Sequence, residues 1–122
     1  MAKILIVEDD KDLNEAYKMI LKKRAYDVRS VFNGQEGLEA FEADVPDIVL
    51  LDLRMPKVDG IGFLKKLNPA KRYPKTQIII FSNFDDQAEI DKAFKLGAGR
   101  YILKAWSSPK ELLKIVEEAL SS

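Results

Sequence analysis

Asp47-Ile48-Val49-Leu50-Leu51-Asp52 is the stretch on which the reading of this sequence turns. Four consecutive branched apolar residues between acids describe a strand buried on both faces, as inside a parallel sheet. The run ends in a carboxylate. Desolvating a carboxylate is costly, so one at the carboxyl end of a buried strand is paired, hydrogen-bonded or used. Leu53-Arg54-Met55-Pro56 carries the chain off the strand, and Lys57-Val58-Asp59-Gly60 reads as a turn into the next element.

The pattern of this strand recurs along the chain. Ile4-Leu5-Ile6-Val7 is a second apolar run, and it too ends in acids, Glu8-Asp9-Asp10. A helix is predicted next, with Leu13, Ala16, Tyr17, Ile20 and Leu21 on its apolar face. Asp10 or Asp12 caps its start, and Lys22-Lys23-Arg24 suit the negative end of its dipole. Asp27 to Val31 is a shorter, less apolar strand that belongs near a sheet edge. Asn33-Gly34 turns the chain, Gly37, Leu38 and Phe41 mark a short second helix, and Pro46 leads into the central strand. After Gly60, Ile61, Leu64 and Leu67 define a third helix closed by Asn68-Pro69, and Ala70 to Lys75 reads as a basic, solvated connector. Gln77 to Phe81 is a buried strand ending in Ser82-Asn83. Ile90, Ala93, Phe94 and Gly97 mark a fourth helix, and Arg100 to Leu103 a fifth strand ending at Lys104. Ser108-Pro109-Lys110-Glu111 is a helix start with a serine cap, a proline in the first turn and a capping-box glutamate. Leu112, Ile115, Val116, Ala119 and Leu120 form the apolar face of that last helix.

Five strand–helix repeats imply parallel crossovers and a sheet covered on both faces. The expected fold is a flavodoxin-like, doubly wound α/β domain over residues 1–122. It has a five-stranded parallel sheet of order 2-1-3-4-5 and five helices on two faces. In such sheets ligands sit outside the carboxyl ends of the strands, near the point where strand order reverses. That rule gathers Glu8, Asp9, Asp52, Ser82 and Lys104 from four different strand ends.

Composition narrows the chemistry. The chain has no histidine and no cysteine, which removes Ser–His and Cys–His catalysis and thiolate or imidazole metal sites. Twenty basic residues balance twenty acidic ones, so no net field argues for nucleic acid or an anionic membrane. The amino terminus has neither a signal-peptide pattern nor a membrane span, and the expectation is a cytoplasmic protein. Three carboxylates in one pocket call for compensating positive charge. Lys104 supplies one unit, and a hard divalent cation such as Mg2+, which takes carboxylate and phosphate oxygens, fits the remainder. Lys104 and Ser82 could each bind a phosphoryl oxygen, and a carboxylate can act as nucleophile, so the chemistry points to an aspartyl phosphate on Asp52.

With these residues in place, the sequence resembles a response regulator receiver domain of two-component signalling over essentially its full length. The resemblance rests on Glu8-Asp9, the run Asp52-x-x-Met55-Pro56-x-x-Asp59-Gly60, Ser82 and Lys104, in the family's order and spacing. It implies that Asp52 accepts phosphate from a sensor histidine kinase or a phosphotransfer protein. Mg2+ would be held by Glu8, Asp9, Asp52 and the Arg54 backbone carbonyl. Ser82 would be the switch hydroxyl, Lys104 the phosphate partner and Tyr101 the switch aromatic. A downstream protein would dock on the fourth helix, fifth strand and fifth helix, with no direct nucleic-acid or membrane contact by this chain. Two positions depart from the family. Ala105 replaces the usual proline after the lysine, so that peptide is expected either trans with a rearranged loop or cis under strain. Asn83 replaces a usually small residue after Ser82 and would narrow access for the phosphodonor.

The same residues bear on other functions. A phosphorylation-independent receiver-like scaffold is compatible with the fold but leaves the five-residue set without a use. An aspartate-nucleophile phosphatase typically needs a second acid two residues past the nucleophile, where this chain has Arg54. A flavin-binding protein of the same topology would need a phosphate-cradling first turn, but Glu8-Asp9-Asp10-Lys11 repels phosphate. Whether the chain stands alone or belongs to a longer protein stays open at this level.

Overall fold

In the computed structural model, all residues are described except 54, 56, 83–86, 104–107 and 122, together with the Ser82 side chain. The branched apolar runs form the strands β1 (Lys3–Val7), β3 (Ile48–Leu51) and β4 (Gln77–Ser82), flanked by β2 (Asp27–Val31) and β5 (Arg100–Leu103). All pairings are parallel and the strand order is β2-β1-β3-β4-β5. The less apolar β2 lies at an edge, where one flank needs no partner strand.

Helices cover both faces: α1 (Lys11–Lys22), α2 (Gly34–Ala43), α3 (Gly60–Leu67), α4 (Gln87–Lys95) and α5 (Pro109–Leu120). The period-two alternation of the strands divides the core accordingly. Leu5, Val7, Val49, Leu51, Ile78 and Ile80 point to one side, where Phe41 of α2, Phe63 and Leu67 of α3 and Ala93 of α4 cover them. Ile4, Ile6, Ile48, Leu50, Ile79 and Phe81 point to the other, against Tyr17 and Leu21 of α1 and Leu112, Val116 and Ala119 of α5. Each central strand is thus buried on both faces, as its unbroken apolar run requires. At the opposite end of the sheet from the strand-end acids, Lys3 Nζ bonds Asp44 Oδ1 at 2.8 Å, raising the lysine pKa and lowering that of the carboxyl.

The structure corrects several local expectations. On α1 the buried stripe is Asn14, Tyr17 and Leu21, spaced i, i+3, i+7, while Ala16 is exposed. Phe94, expected on the inner face of α4, is 41% exposed, and Leu120 of α5 is also at the surface. The Ala70–Lys75 connector is not all loop. Asn68 closes α3 in the left-handed conformation (φ 52°), and Pro69–Arg72 then forms a single helical turn with the proline at its start. Asn33 does more than turn the chain: its Oδ1 caps α2 by accepting from Glu36 N at 2.9 Å, and Glu36 Oε1 accepts from Phe32 N.

Candidate functional site

The carboxyl ends of β1 and β3 are adjacent because these strands pair with Val7 beside Leu51. Each is followed at once by acid. Asp52 N donates to Val7 O at 3.0 Å, which brings the residue after β3 against the end of β1. Glu8 and Asp52 are buried (3% and 7% exposed), and Asp9 faces solvent. One carboxylate oxygen from each of the three lies within 4.8 Å of the others. Hard oxygen donors converging at this separation suit a magnesium-type cation, which takes one or two carboxylates and fills its other positions with water or phosphate oxygens. The donor set fits Mg2+, and Asp9 gives the cluster an open side.

Neighbouring loops tie this edge together. The β1–α1 turn ends with Asp10, whose Oδ1 caps α1 by accepting from Asp12 N and Leu13 N. Beyond Asp52, Leu53 O accepts from Gly60 N at 3.0 Å, so the first residue of α3 closes over the strand end. Asp59 caps α3 through Gly62 N at 2.7 Å, and Val58 O accepts from Gly34 N, joining this loop to the start of α2. Tyr17 lies between the acids and the core. Its ring meets Phe81 edge-on at a centroid distance of 4.7 Å and lines a cavity of about 200 Å³ shared with Leu13 and Leu112. Burial pushes the Tyr17 hydroxyl pKa well above its ordinary range, with further contributions from Glu8, Asp52 and Asp10.

Comparison with known proteins gives this geometry its family. The sequence profile described as "Response regulator receiver domain" matches residues 4–117. The chain belongs to the response regulator receiver domain family. It is 36% identical over 110 residues to a probable transcriptional regulator, ycf27, of Porphyridium aerugineum, an alignment covering 90% of this chain and 44% of that protein. It is 33% identical over 113 residues to the transcriptional regulatory protein DltR of Streptococcus agalactiae, covering 93% of this chain and 50% of DltR. The receiver therefore spans about half the length of these relatives or less. Among solved structures, a CheY-like response regulator receiver domain protein of Methanospirillum hungatei superposes with a TM-score of 0.91 at 27% identity, covering 99% of this chain and 94% of that one.

Within the receiver, Glu8, Asp9 and Asp52 are brought together as the sequence reading expected. Ser82 is the last residue of β4, in register with Leu103 of β5. Tyr101 lies in β5 opposite Ile80, half-buried against the core beneath α3 and α4. Arg54, Asn83, Lys104 and Ala105, including the Lys104–Ala105 peptide, lie outside the described residues. Among the described residues, no helix is long and apolar enough to cross a membrane. One residue at the site went unnoticed in the sequence. Asn14 is 1% exposed, and its side-chain nitrogen donates to Glu8 O at 3.0 Å and Val31 O at 2.9 Å. Its only sequence signal is a polar side chain at a stripe position of α1.

Proposed function

We propose that this receiver is a phospho-acceptor switch in which Asp52 takes a phosphoryl group from a sensor histidine kinase or a phosphotransfer protein. The observation that carries the reading is the convergence of Glu8, Asp9 and Asp52 at the carboxyl edge of the sheet, within reach of one cation. An Asp52 carboxylate oxygen forms a bond to phosphorus as the phosphorus–nitrogen bond of the donor's phosphohistidine breaks, and the leaving imidazole takes up a proton. The histidine belongs to the donor, since this chain has none. Glu8, Asp9, Asp52 and the Arg54 carbonyl would hold Mg2+, which when bound would supply charge that offsets the phosphoryl oxygens. Lys104 adds a point charge on the phosphoryl group, and Ser82 a hydroxyl donor.

Bonding of Ser82 to the phosphoryl group, with Tyr101 following inward, would bias the α4-β5-α5 face between two arrangements and so recruit a downstream protein. Residues 1–122 act as one regulatory domain rather than an enzyme with an external substrate, in the cytoplasm and without direct nucleic-acid or membrane contact. The sequence favours this over an aspartate phosphatase, because Arg54 stands where the second acid would be. Beryllofluoride with Mg2+, a stable mimic of an aspartyl phosphate, tests the switch by amide NMR. Shifts should appear at residues 8–9 and 52–53 and extend across α4, β5 and α5. Shifts confined to the strand ends would refute the output surface, and no shifts at all would refute the phospho-acceptor reading.

A further inference from the structure

Asn14 is a polar residue in a helix face otherwise given to the core. Its position on α1 belongs to the stripe continued by Tyr17 and Leu21. The amide leaves its Oδ1 buried with no hydrogen-bond partner among the described residues, a cost that packing alone does not explain. What the amide adds is the use of both its hydrogens. One goes to the carbonyl of Glu8, the other to the carbonyl of Val31 at the end of β2. Val31 O also accepts from Glu8 N at 3.1 Å.

These three bonds hold the two peptide units on either side of the Glu8 Cα. Its N–H is fixed on Val31 O, and its C=O is fixed by Asn14, which itself is anchored on the same Val31 O. Peptide units are planar, so fixing both sets the backbone angles at Glu8 and the direction in which its side chain leaves the chain. The Glu8 carbonyl shares its peptide unit with the Asp9 nitrogen, so the start of Asp9 is fixed by the same bond. We infer that Asn14 is a positioning residue for the acidic cluster, holding Glu8 and Asp9 toward Asp52 before any cation binds. Groups that orient metal ligands in this way contribute to affinity by sparing the site the ordering of its ligands on binding. The inference rests on the proposed Mg2+ site and deepens it.

The test is calorimetric titration of Mg2+ into wild type, Asn14→Leu and Val116→Ala, with thermal midpoints for all three. Asn14→Leu keeps the branched shape and number of heavy atoms, though it is larger, and removes both donors. Val116→Ala loosens the core under α5 without touching the turn. The dissociation constant for Mg2+ is expected to rise on the order of tenfold in Asn14→Leu. It should stay within about twofold of wild type in Val116→Ala despite a lowered midpoint, since that change removes apolar packing and none of the three bonds. If Asn14→Leu does not fold, Asn14→Ser, smaller and still polar, is held to the same criterion. A wild-type constant in the Asn14 variant, or an equal weakening in Val116→Ala, overturns the inference while leaving the Mg2+ site intact. Absence of Mg2+ binding by the wild type would overturn both.

Discussion

Replacing Gly60 by alanine should move the strand end that carries Asp52, whereas the same change at Gly62, two residues on, should not. A Cβ on Gly60 would lie 2.6 Å from Asp52 O and 2.7 Å from Leu53 Cα, both backbone atoms. Restoring even a 3.0 Å contact requires α3 and the loop to part by about 0.4 Å, stretching the Gly60 N–H bond to Leu53 O. Among the described residues, a Cβ on Gly62 meets only side-chain ends, Asp59 Oδ1 at 3.2 Å and Val58 Cγ1 at 3.3 Å. Both positions are helical, and alanine gains up to about 1 kcal/mol of helix propensity over glycine, less in a first turn. Overpacking costs about 1–3 kcal/mol. Gly60→Ala should therefore lose about 1–2 kcal/mol net, and Gly62→Ala should change stability between zero and a gain of about 1 kcal/mol. With a urea dependence of about 1–3 kcal/mol per molar, the two unfolding midpoints should differ by about 1 M. Because the displaced carbonyl belongs to Asp52, only Gly60→Ala should weaken Mg2+ binding. Coincident midpoints, or a Gly60→Ala protein as stable as wild type, would refute the close approach of α3 to the acceptor strand.

Two further outcomes follow from the packing. Phe63 is fully buried between the sheet and α2, so Phe63→Ala should cost about 3–5 kcal/mol in urea unfolding; a loss under about 1 kcal/mol would contradict its place in the core. The raised pKa of Tyr17 predicts alkaline destabilisation. The folded protein holds the phenolic proton more tightly than the unfolded chain, so this contribution is fully present below the ordinary value of 10.0 and declines as pH rises above it. Tyr17→Phe should flatten the fall in urea midpoint between about pH 9 and pH 11, near the titration range of an ordinary tyrosine, and an unchanged fall would assign it to other groups.

The architecture was legible because its determinants are local. Ile4–Val7, Ile48–Leu51 and Gln77–Phe81 are apolar enough to be strands buried on both faces, and the segments between them have room for crossover helices. Parallel topology then forces their carboxyl ends to one edge, which is why Glu8, Asp9 and Asp52 could be grouped without coordinates. Asn14 was not legible, since a polar residue in a helical stripe reads as a phase error. Apolarity drew the α1 face toward Ala16, whereas helix geometry placed Asn14, Tyr17 and Leu21 inward. Pro69 was half legible: α3 does close before it, as read. After a left-handed Asn68 it opens a helical turn, while in the sequence it reads as a stop. The cap at Asn33 is accompanied by Glu36 reaching back to Phe32 N, a contact that spacing suggests only once the helix start is known.

The most direct test of the central claim is the intact mass of the protein after incubation with acetyl phosphate and Mg2+, for wild type and Asp52→Asn. The phospho-acceptor account requires a gain of one phosphoryl group in the wild type, lost on chelation of Mg2+ beforehand and absent from Asp52→Asn. An equal gain in both proteins would place the phosphoryl group elsewhere. No gain in a folded, Mg2+-bound wild type would contradict the account and leave a receiver fold that works without phosphate.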